Sequence, residues 1–214
     1  MLALAVAVAV LAVVSAAAQP GSVGRPVKIV ALGDSLTAGL GLPGDAAFPA
    51  RLQRALAQKG IAADVVNAGV SGDTTADGLS RVDWSVPDDT DAVILELGAN
   101  DALRGLDPAQ TRANLESILR RLAARRLPVL LAGMRAPPNM GADYVKAFDA
   151  IYPALAAAHG VILYPFFLDG VAGERGLNQG DGIHPTAAGV DVVVAKMLPQ
   201  VEELVARARA HAAR

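Results

Sequence analysis

Ile29-Val30-Ala31-Leu32-Gly33-Asp34-Ser35-Leu36-Thr37 is the stretch from which the fold is read. An apolar, partly β-branched run stops in Gly-Asp-Ser. That predicts a buried strand delivering a serine to a sharp turn at its carboxyl end. Ligand sites in open α/β sheets lie outside those strand ends. A serine there is placed to attack a substrate; the plain alternative is that it caps the following helix.

The pattern repeats outward from this strand. Further apolar runs over residues 61–67, 91–97, 128–133 and 161–164 read as strands. Between them, helical spacing covers 46–59, a helix starting at 74, 107–124 and 141–159, and a last helix covers 186–210. Asp107-Pro108 is a good helix start, with a capping acid and proline at the first helical position. Nearly continuous apolar strands alternating with helices mark a parallel sheet covered on both faces. The expected fold is α/β: a three-layer α/β/α sandwich whose five-stranded parallel sheet has the flavodoxin-like order 2-1-3-4-5.

The 214 residues carry a formal net charge of −2 and no basic stripe, which argues against a nucleic-acid partner. The absence of cysteine excludes disulfides, thiolate metal sites and a cysteine nucleophile. Residues 1–18 form an Ala/Val/Leu run ending in Ala16-Ala17-Ala18, a small-x-small cleavage signature. They read as a signal peptide, 19–26 as a linker and 27–210 as one domain, with export to the periplasm or medium. No Lys or Arg precedes the run, the first being Arg25, and an uncleaved anchor is the alternative. After cleavage no stable membrane anchor is expected.

The chemistry lies in the turns. Strand one ends in Gly33-Asp34-Ser35, strand two in Gly69 to Asp73, and strand three in Gly98-Ala99-Asn100-Asp101. In the expected topology these three ends are neighbours. A serine hydroxyl needs a base, and histidine suits that task. Of three histidines, His211 lies in the tail and His159 ends a helix; His184 lies in the loop Gly180-Asp181-Gly182-Ile183-His184-Pro185. Asp181, three residues earlier, is spaced to reach the other ring nitrogen, or else simply caps a turn. Ester cleavage also needs donors for an oxyanion. The Ser35 and Gly72 N–H groups and the Asn100 side-chain amide are candidates. Taken singly, Asn100 is equally an Asx turn.

Gly33-Asp34-Ser35-Leu36, the glycine of Ser71-Gly72-Asp73, Gly98-Ala99-Asn100-Asp101 and Asp181-Gly182-Ile183-His184-Pro185 together resemble the four blocks of the SGNH (GDSL) hydrolases, in order. The resemblance implies a Ser35-His184-Asp181 triad, an acyl-enzyme intermediate and an oxyanion hole of Ser35, Gly72 and Asn100, with no cofactor and no metal. Val65-Val66-Asn67-Ala68, Glu96-Leu97-Gly98, Asp101-Ala102-Leu103-Arg104-Gly105 and Phe148-Asp149-Ala150-Ile151-Tyr152-Pro153 are similar to the periplasmic multifunctional thioesterase/lysophospholipase/arylesterase subgroup. This implies small-molecule acyl esters or thioesters, lysophospholipids among them, as substrates. The resemblance also implies a loop after the Asn-Asp block, here 102–107, that can shift with substrate. Leu36, Asp101, Leu103, Leu106, Met134 and Pro137 are the expected substrate contacts, with Leu40, Leu42 and Pro138 adding apolar surface. They motivate a preference for medium or long acyl chains, ordinary loop packing being the alternative.

Rival readings have specific weaknesses. Gly39-Leu40-Gly41-Leu42-Pro43-Gly44 fits the dinucleotide fingerprint formally, with Asp64 at the right distance, but it starts late and contains proline. An α/β-hydrolase elbow requires glycine where Thr37 stands. A metal hydrolase would gather Asp34, Asp73, Asp101, Asp181 and His184. A carbohydrate O-acetylesterase and a non-catalytic binding protein are the remaining alternatives on this fold.

Overall fold

The backbone of residues 25–212 is described by a computed structural model; the leader and most of the linker expected over 1–26 lie outside those residues. Five strands, β1 (Val27–Gly33), β2 (Ala63–Gly69), β3 (Ala92–Glu96), β4 (Val129–Ala132) and β5 (Ile162–Tyr164), form one parallel sheet in the order β2-β1-β3-β4-β5. This is the expected topology.

β1 lies between β2 and β3, and β-branched residues suit its pleated, doubly covered position. Ile29, Val30 and Leu32 are fully excluded from solvent. Each contributes about 1.5–3 kcal/mol by burial. On one face α2 (Phe48–Gln58) packs on α8 (Ala187–Ala212). On the other, α3 (Thr75–Ser85) packs on α5 (Pro108–Ala124), and α5 on α7 (Ile151–His159). Thr74 caps α3 reciprocally with Asp77, each side chain accepting the other's backbone N–H.

Two local features depart from the sequence reading. The helix expected over 141–159 is two helices, α6 (Ala142–Asp149) and α7, meeting at Ala150. Pro153 has no N–H to give to the Asp149 carbonyl, and its ring crowds that carbonyl. Two short helices also stand in segments read as loop: α1 (Ser35–Ala38) and α4 (Ala99–Leu103). Each begins within three residues of a strand end, so a single turn of helix carries a residue expected at the site, Ser35 or Asn100. In keeping with the sequence reading, the glycine-rich run after residue 38 follows α1, with Gly39 as its left-handed cap, and does not close a strand. It therefore lacks the strand-to-helix setting of a dinucleotide site.

Candidate active site

Asp34 caps α1, its Oδ1 accepting the Leu36 N–H at 2.9 Å. Ser35 is thus the first residue of the helix and not its cap, and its hydroxyl has another partner. Ser35 Oγ lies 2.8 Å from Nε2 of His184. His184 Nδ1 lies 2.7 Å from Oδ2 of Asp181. The other oxygen of Asp181 accepts the backbone N–H groups of Ile183 and His184 at 2.9 and 3.0 Å. The Ile183 N–H first, then the His184 ring, hold this carboxyl down at about 2. An ionised carboxylate accepts only, so the ring proton belongs on Nδ1 and the Nε2 lone pair faces the serine.

Gly72 has φ +90°, a conformation that a side chain strains. The N–H groups of Ser35 and Gly72 donate to no group among the described residues. Gly98 opens α4 at φ +117°, and a Cβ there would lie 2.2 Å from the Tyr152 hydroxyl. Asn100 follows two residues later. Its Nδ2 donates to the Asp73 carbonyl at 2.9 Å and to Asp34 Oδ2 at 3.2 Å.

Beneath these groups lies a buried pair of acids. Thr37 Oγ1 and the Asp34 N–H donate to Glu96 Oε2 at 2.8 and 3.4 Å, while Glu96 Oε1 has no partner. Burial pushes Asp34 up to about 6. Burial, and then the charge of Asp34, raise Glu96 well above the carboxylate range. Arg81, almost fully buried, pairs with Asp73 at 2.6 Å and donates to the carbonyls of Gly33 and Ala68 at 2.8 and 2.9 Å. It ties the ends of β1 and β2 to the loop that carries Gly72.

Residues 31–192 match the GDSL-like Lipase/Acylhydrolase family. The chain belongs to that family. As a GDSL-like acylhydrolase it is a carboxylic ester hydrolase. It is 42% identical to Esterase TesA of Pseudomonas aeruginosa over 177 residues, 82% of this chain and 88% of the relative. It is 40% identical to Thioesterase 1/protease 1/lysophospholipase L1 of Escherichia coli K12 over 178 residues, 83% and 84% of the two chains. The crystal structure of AlinE4, an SGNH-hydrolase family esterase, is similar at 50% identity with a TM-score of 0.72, covering 84% of this chain and 97% of that one.

In this GDSL-like hydrolase Ser35, Gly72, Asn100 and His184 line one cleft of about 780 Å³, a volume usual for small-molecule sites. Leu36, Leu103, Met134 and Pro137 also line it, as do Leu40 and Pro138. Asp101 and Leu106 do not. Asp101 is buried and accepts from the Thr75 N–H at 2.9 Å and from the Thr75 and Thr111 hydroxyls at 2.5 and 3.2 Å. It therefore joins α3, α4 and α5. Leu106 stays outside the cleft, and its carbonyl accepts the Tyr144 hydroxyl at 2.9 Å. The sequence reading did not single out Arg135, Phe166 and Leu168 as cleft residues. Their signal was position: they follow β4 and β5, whose ends border the site. Among the described residues no three or more His, Asp or Glu side chains are grouped to hold a metal ion.

Proposed function

We propose that this chain is a serine esterase and thioesterase that hydrolyses acyl esters through an acyl-enzyme on Ser35. The observation that carries the reading is the aligned chain from Ser35 Oγ through His184 to Asp181, with contacts of 2.8 and 2.7 Å. Ser35 Oγ attacks the acyl carbon as its proton passes to His184 Nε2, and the Asp181 carboxylate stabilises the imidazolium. The carbonyl electrons collapse back, expelling the alcohol or thiol, which takes the proton from His184. A water molecule, deprotonated by His184, then releases the acid and restores Ser35. The oxyanion is met by the Ser35 and Gly72 N–H groups and by Asn100, which shares the hydrogen of its longer bond to Asp34.

The names of the relatives, esterase and thioesterase/lysophospholipase, favour acyl substrates with alcohol or thiol leaving groups. The apolar cleft favours medium or long acyl chains. Residues 27–210 are read as the hydrolase domain, 19–26 as a linker and the apolar run 1–18 as an export leader, placing the enzyme outside the cytoplasm. Ser35→Ala tests the reading: hydrolysis of p-nitrophenyl acyl esters falls by several orders of magnitude while the fold is retained. Full activity in that variant contradicts it.

A further inference from the structure

The cleft that holds Ser35 is walled by leucine, methionine, proline and phenylalanine, yet a cation stands among them. Arg135 follows β4 and lines the cleft beside Met134 and Ala136. Its guanidinium lies over the Phe166 ring, 5.0 Å from the centroid. A cation–π contact of this kind fixes the plane of the group but uses none of its N–H donors. Among the described residues that guanidinium makes no hydrogen bond and no ion pair.

Neither nearby acid pairs with it, although Lys196 first, and then the charge of Arg135, help to lower Asp169. Asp149, which also lines the cleft, accepts the Ala136 backbone N–H at 2.9 Å and forms no ion pair with Arg135. Asp169 pairs with Lys196 at 2.8 Å. The cleft therefore presents a pre-oriented fork of donors, with no ion-pair partner among the described residues, next to apolar surface. An acyl chain has no use for it. A phosphate does, because a guanidinium edge matches two phosphate oxygens.

We infer that Arg135 is a specificity residue that recognises a phosphate on the leaving-group part of the substrate. The cleft would then take an amphiphile whose acyl chain lies along the leucines and whose phosphate meets Arg135. This rests on the acyl-ester reading of Ser35. Two chemical sources supply such a phosphate: the head group of a lysophospholipid, and the phosphates of an acyl-coenzyme A.

Matched substrates separate them. Lauroylglycerol is compared with lauroylglycerol phosphate, and the lauroyl thioester of N-acetylcysteamine with lauroyl-coenzyme A. Each pair shares its acyl group and scissile bond, so the ratio of kcat/KM within a pair isolates the phosphate. In Arg135→Gln the ratio of phosphorylated to neutral substrate is expected to fall about tenfold in at least one pair, mainly through KM, as loss of one charge-assisted contact implies. The pair that responds identifies the source. Arg135→Lys retains part of the ratio, which a packing role on Phe166 would not produce. Ratios unchanged within about twofold in both pairs overturn the proposal, whatever happens to the absolute rates. Absence of turnover of the neutral substrates by the unaltered enzyme would instead count against the acyl-ester reading itself.

Discussion

The side-chain amide of Asn100 is held by the carboxylate of Asp34, 3.2 Å away, and Asp34 is the residue before Ser35. The donor proposed for the oxyanion is thus anchored on the same turn as the proposed nucleophile. Its second anchor, the Asp73 carbonyl at 2.9 Å, follows Gly72. One amide connects the ends of β1, β2 and β3.

This connection sets the expected effect of Asn100→Ala. A donor that acts on the developing oxyanion stabilises the transition state more than the bound ester. The substitution is expected to lower kcat roughly a hundred- to a thousand-fold with little change in KM. Steady-state kinetics on one p-nitrophenyl ester checks it; a change confined to KM would make Asn100 a substrate-binding group.

Asp34 also gives the enzyme a pH signature. Unfolded, it titrates at the ordinary 3.8; folded, burial raises it to about 6. The folded state holds the proton more tightly. The contribution of this group to stability is therefore fully present below 3.8 and is lost as pH rises through 6, a loss of about 3 kcal/mol. Asp181 runs the other way: its lowered value stabilises above 3.8, and that is lost as pH falls through about 2. Asp34→Asn removes the first contribution and leaves the second. Denaturant unfolding between pH 4 and 6.5 should show stability declining less with pH in Asp34→Asn than in the unaltered protein. Identical slopes would contradict the placement of this charge.

The apolar cleft predicts how rate depends on acyl length. Exposed Leu40 and Leu103 at the cleft offer surface that a longer chain covers. Each buried methylene adds about 0.8 kcal/mol at most. Across p-nitrophenyl acetate to laurate, kcat/KM should rise before it levels. A steady fall beyond acetate would mean that these side chains pack without serving the acyl group.

Strand order, sheet direction and the residues at the strand ends were legible because each rests on local pattern: apolar runs of strand length, glycine turns, capping acids. The meeting of Ser35, Gly72 and Asn100 followed from topology, since β1, β2 and β3 are neighbours, whereas His184, in the loop before α8, was reached through its chemistry and the resemblance. What local pattern could not carry was partnership. Arg81 reads as an ordinary polar position on α3, yet it is buried against Asp73 and two strand-end carbonyls. Removing one member of such a pair costs about 3–5 kcal/mol, so its weight is structural. Asp101 was misplaced for the same reason: its sequence neighbour Asn100 lines the cleft, but on a helix the next residue points about 100° away and meets Thr75. Pro153 was visible in the sequence, and its effect on the preceding turn explains the break at Ala150.

The most direct test of Ser35 as the nucleophile is covalent capture. A long-chain alkylphosphonyl fluoride loses fluoride as an activated serine oxygen bonds to phosphorus, leaving a stable phosphonate ester. After digestion, mass spectrometry should find one label per chain, on Ser35, and no label when His184→Ala is treated in the same way. A label on any other residue, or equal labelling in Ser35→Ala, would contradict the account.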